Sequence, residues 1–169
     1  MTTLYASPYD IDAATGFYFE SLDEYQKKSA THFNRFGGLV EEFEMQLIDT
    51  DDAQLFLACS INQANINEWF DDIEILDDHE KISLYYLLAC AGYTLEQALN
   101  KLDDPSIAES SLRDAAEDLF DECWLDSVPD LIKHYIDYDK FASDCEIAGD
   151  LVEFEYEGNT FTCTNASGL

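Results

Sequence analysis

A long stretch without positive charge is the feature that most constrains what this chain can fold into. No lysine or arginine occurs between Phe36 and Glu80, while residues 41–80 carry thirteen aspartates and glutamates. The whole chain of 169 residues has 37 acidic and 8 basic side chains, which gives a formal net charge of −29. Because self-repulsion at this density destabilises a compact state, the acids must lie on surfaces above an adequate apolar core.

The composition provides that core. Acidic disordered segments are poor in aromatic and β-branched residues, whereas 47% of this chain is hydrophobic and 14% is aromatic. The five cysteines are far apart and form no CxxC pair, which argues against a zinc site or a disulfide framework. We therefore predict a folded α+β chain with reduced, mostly buried cysteines.

Residues 1–60 are predicted to form an N-terminal α+β subdomain. Residues 4–9 and 40–48 have strand patterns, and between them Ser21 and Glu24 form a capping box that opens a helix to about residue 33. A short helix is expected over residues 54–59.

Residues 61–103 are predicted to form a helical subdomain. A buried stripe at helical spacing comprises Ile66, Trp69, Phe70, Ile73 and Leu76. A second helix, over residues 80–91, is apolar nearly all round. Thr94 and Gln97 form a further capping box, which begins a helix to about residue 102.

Residues 104–169 are predicted to form a C-terminal α+β subdomain. Ser111 caps an amphipathic helix whose polar side is an unbroken acidic stripe. Its inward side is Leu112, Ala115, Ala116, Leu119, Phe120 and Cys123. Pro129 begins a short helix, and Asp137 caps another to about residue 146. A terminal hairpin pairs residues 151–156 with 160–164 around a turn at Gly158-Asn159.

The sequence contains no recognisable catalytic or cofactor constellation. The three histidines share no spacing with a nucleophile or a second metal ligand. Asp137-Tyr138-Asp139 resembles the start of a calcium loop, but Phe141, Ala142 and Ala148 stand where an EF-hand requires an oxygen ligand, a glycine and a glutamate. We predict a protein that is not an enzyme, takes no metal or cofactor, and repels nucleic acid because of its charge.

No segment has the pattern of a membrane or secretion signal. Residues 1–10 contain no basic residue and no apolar stretch, and the longest apolar run, residues 84–91, is too short to span a bilayer. We expect a cytoplasmic protein.

The acids themselves are the candidate functional surface. Exposed helices usually interleave lysines and arginines with their acids at i, i+4 spacing, and the stretch from Phe36 to Glu80 has none. Duplex DNA carries one charge per roughly 1.7 Å, so 29 charges correspond to about 49 Å of duplex. The amount of charge is therefore compatible with imitation of DNA.

Residues 71–80 (DDIEILDDHE), followed by residues 92–99 (GYTLEQAL), resemble the middle of ArdA antirestriction proteins. Residues 134–144 (HYIDYDKFASD) resemble the family's Tyr-Phe-Asp-Tyr-Glu-(aromatic)-Ala-x-Asp signature, and residues 16–19 (GFYF) and 40–44 (VEEFE) resemble one N-terminal variety.

The resemblance implies an elongated homodimer of small subdomains that mimics bent B-form DNA and is encoded on mobile genetic elements. It implies competitive binding in the DNA groove of a type I restriction–modification enzyme, chiefly its methyltransferase core. The implied contact acids are Glu68, Asp71, Asp72, Asp77, Asp78, Glu80, Asp114, Glu117, Asp118, Asp121 and Glu122. We expect the dimer contact beyond Asp104, helped by the hairpin side chains Val152, Phe154, Tyr156 and Phe161.

Two other interpretations fit the same charge. One is an ordinary halophile domain whose acids hold water and salt and which needs molar salt to fold. The other is an acidic inhibitor or regulator of a different basic DNA-binding protein, such as a nucleoid protein or a CRISPR effector.

Overall fold

The computed structural model of the protein describes residues 1–13 and 15–169. The chain is α+β, as predicted, and divides into two compact units, residues 1–81 and 82–169. Each unit contains one three-stranded antiparallel sheet. The boundary between the units falls within helix α4 (Asp78–Ala89). The division into segments 1–60, 61–103 and 104–169 stays a prediction.

The sheet of the first unit is built around β1 (Thr3–Pro8). It pairs with β2 (Phe17–Phe19) on one side and β3 (Phe43–Asp49) on the other. Leu4 and Ala6 alternate on its buried face. The two predicted strands are confirmed, although the second begins at Phe43. The three residues of β2 are too few to give a readable alternation, and this strand was not predicted.

Two helices of the first unit have the predicted positions. In α1 (Leu22–Ser29) the Ser21 side chain accepts from the Glu24 amide, but the Glu24 carboxylate accepts from the amide of Glu20 instead of that of Ser21. The predicted capping box is thus half formed, and the helix ends earlier than expected. Helix α2 (Ala53–Ala58) agrees with its prediction.

The predicted stripe over residues 66–76 forms a short helix, α3 (Ile66–Glu68), which continues into a π-helical turn (Trp69–Ile73). The turn is closed by the Glu74 amide, which donates to the Trp69 carbonyl at 2.8 Å. Trp69 is fully buried, its ring lies edge-on to that of Phe56, and its Nε1 donates to Thr2 Oγ1 at 3.1 Å. The prediction that Trp69 belongs to the core is confirmed.

Helix α5 (Leu95–Leu99) follows α4 and has the predicted capping box. The Gln97 amide donates to Thr94 Oγ1 at 3.3 Å, and the Thr94 amide donates to Gln97 Oε1 at 3.1 Å.

The sheet of the second unit has the order β4 (Ile107–Ala108), β6 (Asn159–Cys163), β5 (Val152–Tyr156). The terminal hairpin is confirmed, but its turn lies one residue earlier than predicted. Tyr156 pairs with Asn159, so Glu157 and Gly158 are the two turn residues, with φ of 46° and 81°. A two-residue turn with positive φ at both positions is a type I′ turn, which is favoured in hairpins because its twist matches that of the two flanking strands.

The aromatic hairpin side chains are buried within the chain itself. Phe154, Tyr156 and Phe161 are each at most 7% exposed. The ring of Tyr85 lies 4.8 Å from that of Tyr156, and the ring of Tyr86 lies 5.2 Å from that of Phe154. The expectation that these three aromatic side chains are left over for a dimer contact is wrong, because α4 packs on Tyr156 and Phe154, and the ring of Phe161 stacks on that of Phe154.

The remaining α-helices of the second unit were predicted. They are α6 (Leu112–Cys123), α7 (Asp130–Lys133) and α8 (Tyr138–Ala148). A 3-10 turn between α6 and α7 (Leu125–Ser127) was not predicted. A further 3-10 turn, Ala166–Gly168, follows the hairpin. A small core joins α6 to α8 and comprises Ala116, Ala142, Cys145 and Leu151.

Two cysteines depart from expectation. Cys123 is exposed although its spacing placed it on the inward face of α6, and Cys90 is also exposed. At the end of α6 the inward contact is made by Phe120, whose ring lies 5.2 Å from that of Phe141. All five cysteines are free thiols, and three of them are buried.

Candidate functional site

The basic side chains are all engaged within the chain. Each of the eight lysines and arginines has a carboxylate oxygen 3.3 Å or less from a side-chain nitrogen. Nine carboxylates take part in these pairs, and a tenth, Asp114, lies 3.7 Å from Arg113, so most of the 37 acids have no lysine or arginine partner in the described part of the chain. The surface therefore offers negative charge that is only locally compensated.

None of the eleven acids singled out from the sequence is buried. Six lie in the first unit and five in the second. The exposed ones are Asp71, Asp72, Asp77, Asp78, Asp114, Asp118 and Glu122. The half-buried ones are Glu68, Glu80, Glu117 and Asp121.

The π-helical turn presents Asp71 and Asp72 to solvent. Trp69 and Ile73 are fully buried on either side of them. The Trp69 bond to Thr2 anchors the backbone that carries both acids to the N-terminal segment. π-Helical turns are often found at functional sites.

Glu74 is part of that support, and the sequence pattern did not single it out. Its Oε1 accepts from the Thr2 amide at 2.7 Å and lies 3.8 Å from the N-terminal amine. Thr2 is 72 positions away from Glu74 in the sequence. No local pattern signals a partner at that separation.

Asp77 and Glu80 have a structural role besides their charge. The Glu80 amide donates to Asp77 Oδ1 and the Asp77 amide donates to Glu80 Oε2, both at 2.9 Å. This reciprocal pair is a capping box with aspartate as the cap. It begins α4 two residues before the predicted start.

Helix α6 places five acids along one side. Asp114 and Glu122 are eight residues apart, which is about 12 Å of helix axis, and the five acids between these limits rise along the axis in alternating steps of about 4.5 and 1.5 Å. One strand of B-form DNA has one phosphate per roughly 3.4 Å of axis, so the mean number of charges per length of axis is similar although the spacing on α6 is uneven. The others in the set are Glu117, Asp118 and Asp121.

A cation that the sequence analysis did not consider lies beside the acidic stripe on α6. Arg113 lies with its Nη1 3.2 Å from Glu117 Oε2 and its Nε 3.2 Å from Asp139 Oδ1. Asp139 belongs to α8, so the arginine joins two helices. Asp139 is largely exposed and extends the acidic surface beyond the predicted residues.

Asp121 is tied to α8 as well. The Tyr138 hydroxyl donates to Asp121 Oδ1 at 2.6 Å. This hydrogen bond is the main reason that the pKa of Tyr138 is raised to about 12, with burial and the negative charges of Asp121 and Glu117 adding to it.

The described residues contain no group of three or more histidine, cysteine, aspartate or glutamate side chains placed to hold a metal ion. Among the same residues, no helix combines the length and the apolar character needed to cross a membrane.

The comparisons with known proteins agree with the resemblance seen in the sequence. The profile of the family described as antirestriction protein (ArdA) matches residues 6–158, which is most of the chain. A comparison with curated proteins gave no match.

Proposed function

The chain belongs to the ArdA antirestriction family, and from that premise we propose that it inhibits a type I restriction–modification enzyme as a DNA mimic. In this proposal it occupies the DNA groove of the enzyme, chiefly in the methyltransferase core, and excludes DNA by competition. Inhibitor and target meet in the cytoplasm.

The observation that carries the proposal is the imbalance between paired bases and unpaired acids. Every lysine and arginine is held by a carboxylate of the same chain, while most acids face solvent without a cation. On α6 five acids lie within about 12 Å of helix axis, so their mean charge per length of axis is close to that of one DNA strand. A groove that binds phosphates can bind such a row.

The binding energy would come from release of counterions. Lysines and arginines of the groove replace the cations that gather around the carboxylates, as they replace the cations condensed on DNA phosphates. Each exposed pair contributes about 0.2–1 kcal/mol, so the affinity is a sum over many acids. The predicted contact set, from Glu68 to Glu122, then acts collectively.

We also propose a homodimer formed by the surface around α7. Leu131 and Tyr135 are each 84% exposed, Ile132 is half-exposed between them, and Trp124, seven residues before Leu131, is also half-exposed. This concentration of apolar side chains lies beyond Asp104, where the dimer contact is expected. A dimer of net charge −58 would match the charge of about 100 Å of duplex.

Competition between the protein and DNA tests the proposal. A type I methyltransferase core is incubated with a labelled DNA duplex that carries its recognition site, and the protein is added at several salt concentrations. We expect DNA to be displaced, with a potency that falls steeply as salt increases. Failure to displace DNA, together with binding to another basic DNA-binding protein, would redirect the proposal to that class of target.

A further inference from the structure

Apolar and acidic side chains meet at a depression in the first unit, outside the predicted contact acids. Tyr9 is 65% exposed and Leu39 is 47% exposed. Both line a depression of about 310 Å³. The other lining residues are Asp10, Val40, Glu41 and Glu42. A neighbouring depression of about 560 Å³ shares Tyr9 and Glu42 and reaches Gln63.

The backbone under these side chains is fixed from both sides. Gln63 Nε2 donates to the Glu41 carbonyl and Gln63 Oε1 accepts from the Phe43 amide, each at 2.7 Å. On the other side the Tyr9 amide donates to the Glu42 carbonyl at 3.1 Å. The depression is therefore preorganised, which lowers the entropic cost of binding.

Two of the three carboxylates at the depression are not paired with a cation of the chain. Glu41 and Glu42 form no ion pair with any residue that the structure describes. Asp10 accepts from Asn34 Nδ2 at 2.8 Å and from the Asp12 amide at 2.9 Å. These hydrogen bonds, that from Asn34 first, and the positive charge of Arg35 lower the pKa of Asp10 and keep it ionised.

The chemistry of the depression selects a cation with an apolar stem. An aromatic ring attracts a guanidinium or ammonium placed over its face, carboxylates form charge-assisted hydrogen bonds with it, and exposed apolar side chains cover its methylenes. Nucleic acid and anionic lipid are repelled by the three carboxylates. We infer that the surface around Tyr9 and Glu42 docks a protein segment in which an arginine or lysine is flanked by apolar residues.

This docking site goes beyond the proposed DNA mimicry. DNA has no counterpart of Tyr9 or Leu39, and the apolar part of the contact does not depend on counterion release. A partner would therefore be recognised by one defined side chain at this site, in contrast to the collective action of the acids on α6.

A peptide titration tests the inference without any restriction enzyme, so its failure is distinguishable from failure of the proposed function. The ¹⁵N-labelled full chain is titrated with the blocked tripeptide leucyl-arginyl-leucine, and glycyl-arginyl-glycine serves as the comparison peptide. We expect saturable shifts at the amides of residues 9–10, 39–43 and 63, with the leucine peptide binding more tightly.

Matched variants identify the contacts. Tyr9→Ala should weaken the leucine peptide about three- to fivefold because it removes the cation–π contact. Glu42→Gln, which keeps the size of the side chain, should weaken it by about the same factor through loss of one charge-assisted hydrogen bond. Tyr18→Ala, at another exposed tyrosine, and Glu44→Gln, at another exposed acid, should leave binding unchanged. Shifts spread over all acidic segments, equal affinity for the two peptides, or wild-type binding by Tyr9→Ala would each overturn the inference.

Discussion

Arg113 on α6 and Asp139 on α8 form an ion pair, with 3.2 Å between Arg113 Nε and Asp139 Oδ1. The same guanidinium lies 3.2 Å from Glu117. One cation thus compensates carboxylates of two helices within the proposed binding surface. A basic side chain of the target has to compete with this internal counterion for both of them.

Replacement of Arg113 by glutamine should therefore strengthen inhibition. The variant frees Glu117 and Asp139 for the target. We expect affinity for the methyltransferase to rise about two- to fivefold at low salt, because one exposed ion pair contributes up to about 1 kcal/mol. Stability should fall by less than about 1 kcal/mol for the same reason. Titration calorimetry and urea unfolding measure the two effects.

Lys140→Gln is the matched control for Arg113→Gln. It removes the same charge from a pair with Asp144, 3.3 Å away on α8. If folded Arg113→Gln bound the methyltransferase more weakly than Lys140→Gln did, Arg113 would strengthen the contact with the target, and this prediction would be wrong.

Trp69→Phe should harm folding before it harms binding. Phenylalanine can retain the edge-on contact with Phe56, but it cannot donate to Thr2 Oγ1. Loss of this buried hydrogen bond should destabilise the first unit by about 1–2 kcal/mol. Urea unfolding measures this loss of stability. Trp124→Phe is the control, and it should change the free energy of unfolding little because Trp124 is half-exposed. Inhibition lost by a fully folded Trp69→Phe protein would contradict this role.

Asp121→Asn should lower the pKa of Tyr138. The hydroxyl now donates to a carboxylate, and this contact raises the Tyr138 pKa to about 12. An amide lacks the negative charge that holds the proton, so the pKa should return toward the ordinary value of about 10. An NMR titration of ¹³C-labelled tyrosine rings follows the change. In the control Glu122→Gln the pKa of Tyr138 should stay near its wild-type value. The same unchanged pKa in Asp121→Asn would rule out the hydrogen bond as the cause of the raised pKa.

Asp10 should make the first unit sensitive to acid. Its hydrogen bond from Asn34, with that from the Asp12 amide, lowers its pKa in the folded state. A lowered pKa contributes stability above the unfolded value of about 4, and this stability is lost as pH falls through the folded pKa. Asp10→Asn and Asn34→Ala should both flatten the dependence of stability on pH below about 4. Acid unfolding followed by circular dichroism tests this, and curves parallel to the wild type would contradict it.

The sequence predicted those features that depend on neighbouring residues. Side-chain caps form at Ser111, Thr94 and Asp137, because a cap requires only an oxygen and an amide two or three positions later. The acids of α6 lie on one side because a helix repeats every 3.6 residues.

Features that depend on distant residues were not predictable. The Trp69 bond to Thr2 joins residues 67 positions apart, and the Arg113 pair with Asp139 requires α6 and α8 to pack first. The hairpin turn was misplaced by one residue because Glu157, and not Asn159, adopts the positive φ angle beside Gly158. Glutamate rarely has that conformation.

The central claim is that the acids act as a collective phosphate-like row, and a charge-neutralisation series tests it most directly. Single variants Asp71→Asn, Asp72→Asn and Glu117→Gln are compared with a variant in which all five acids of α6 from Asp114 to Glu122 are neutralised. Binding of each to a type I methyltransferase is titrated at several salt concentrations. Folding of each is checked by urea unfolding.

Each single variant should bind less than about tenfold more weakly, since one exposed pair contributes about 0.2–1 kcal/mol. The five-acid variant should lose far more affinity, and the slope of log affinity against log salt should flatten by about the number of contacts removed. If one carboxylate substitution abolished inhibition while the folded five-acid variant remained active, the mimicry of DNA by these acids would be contradicted.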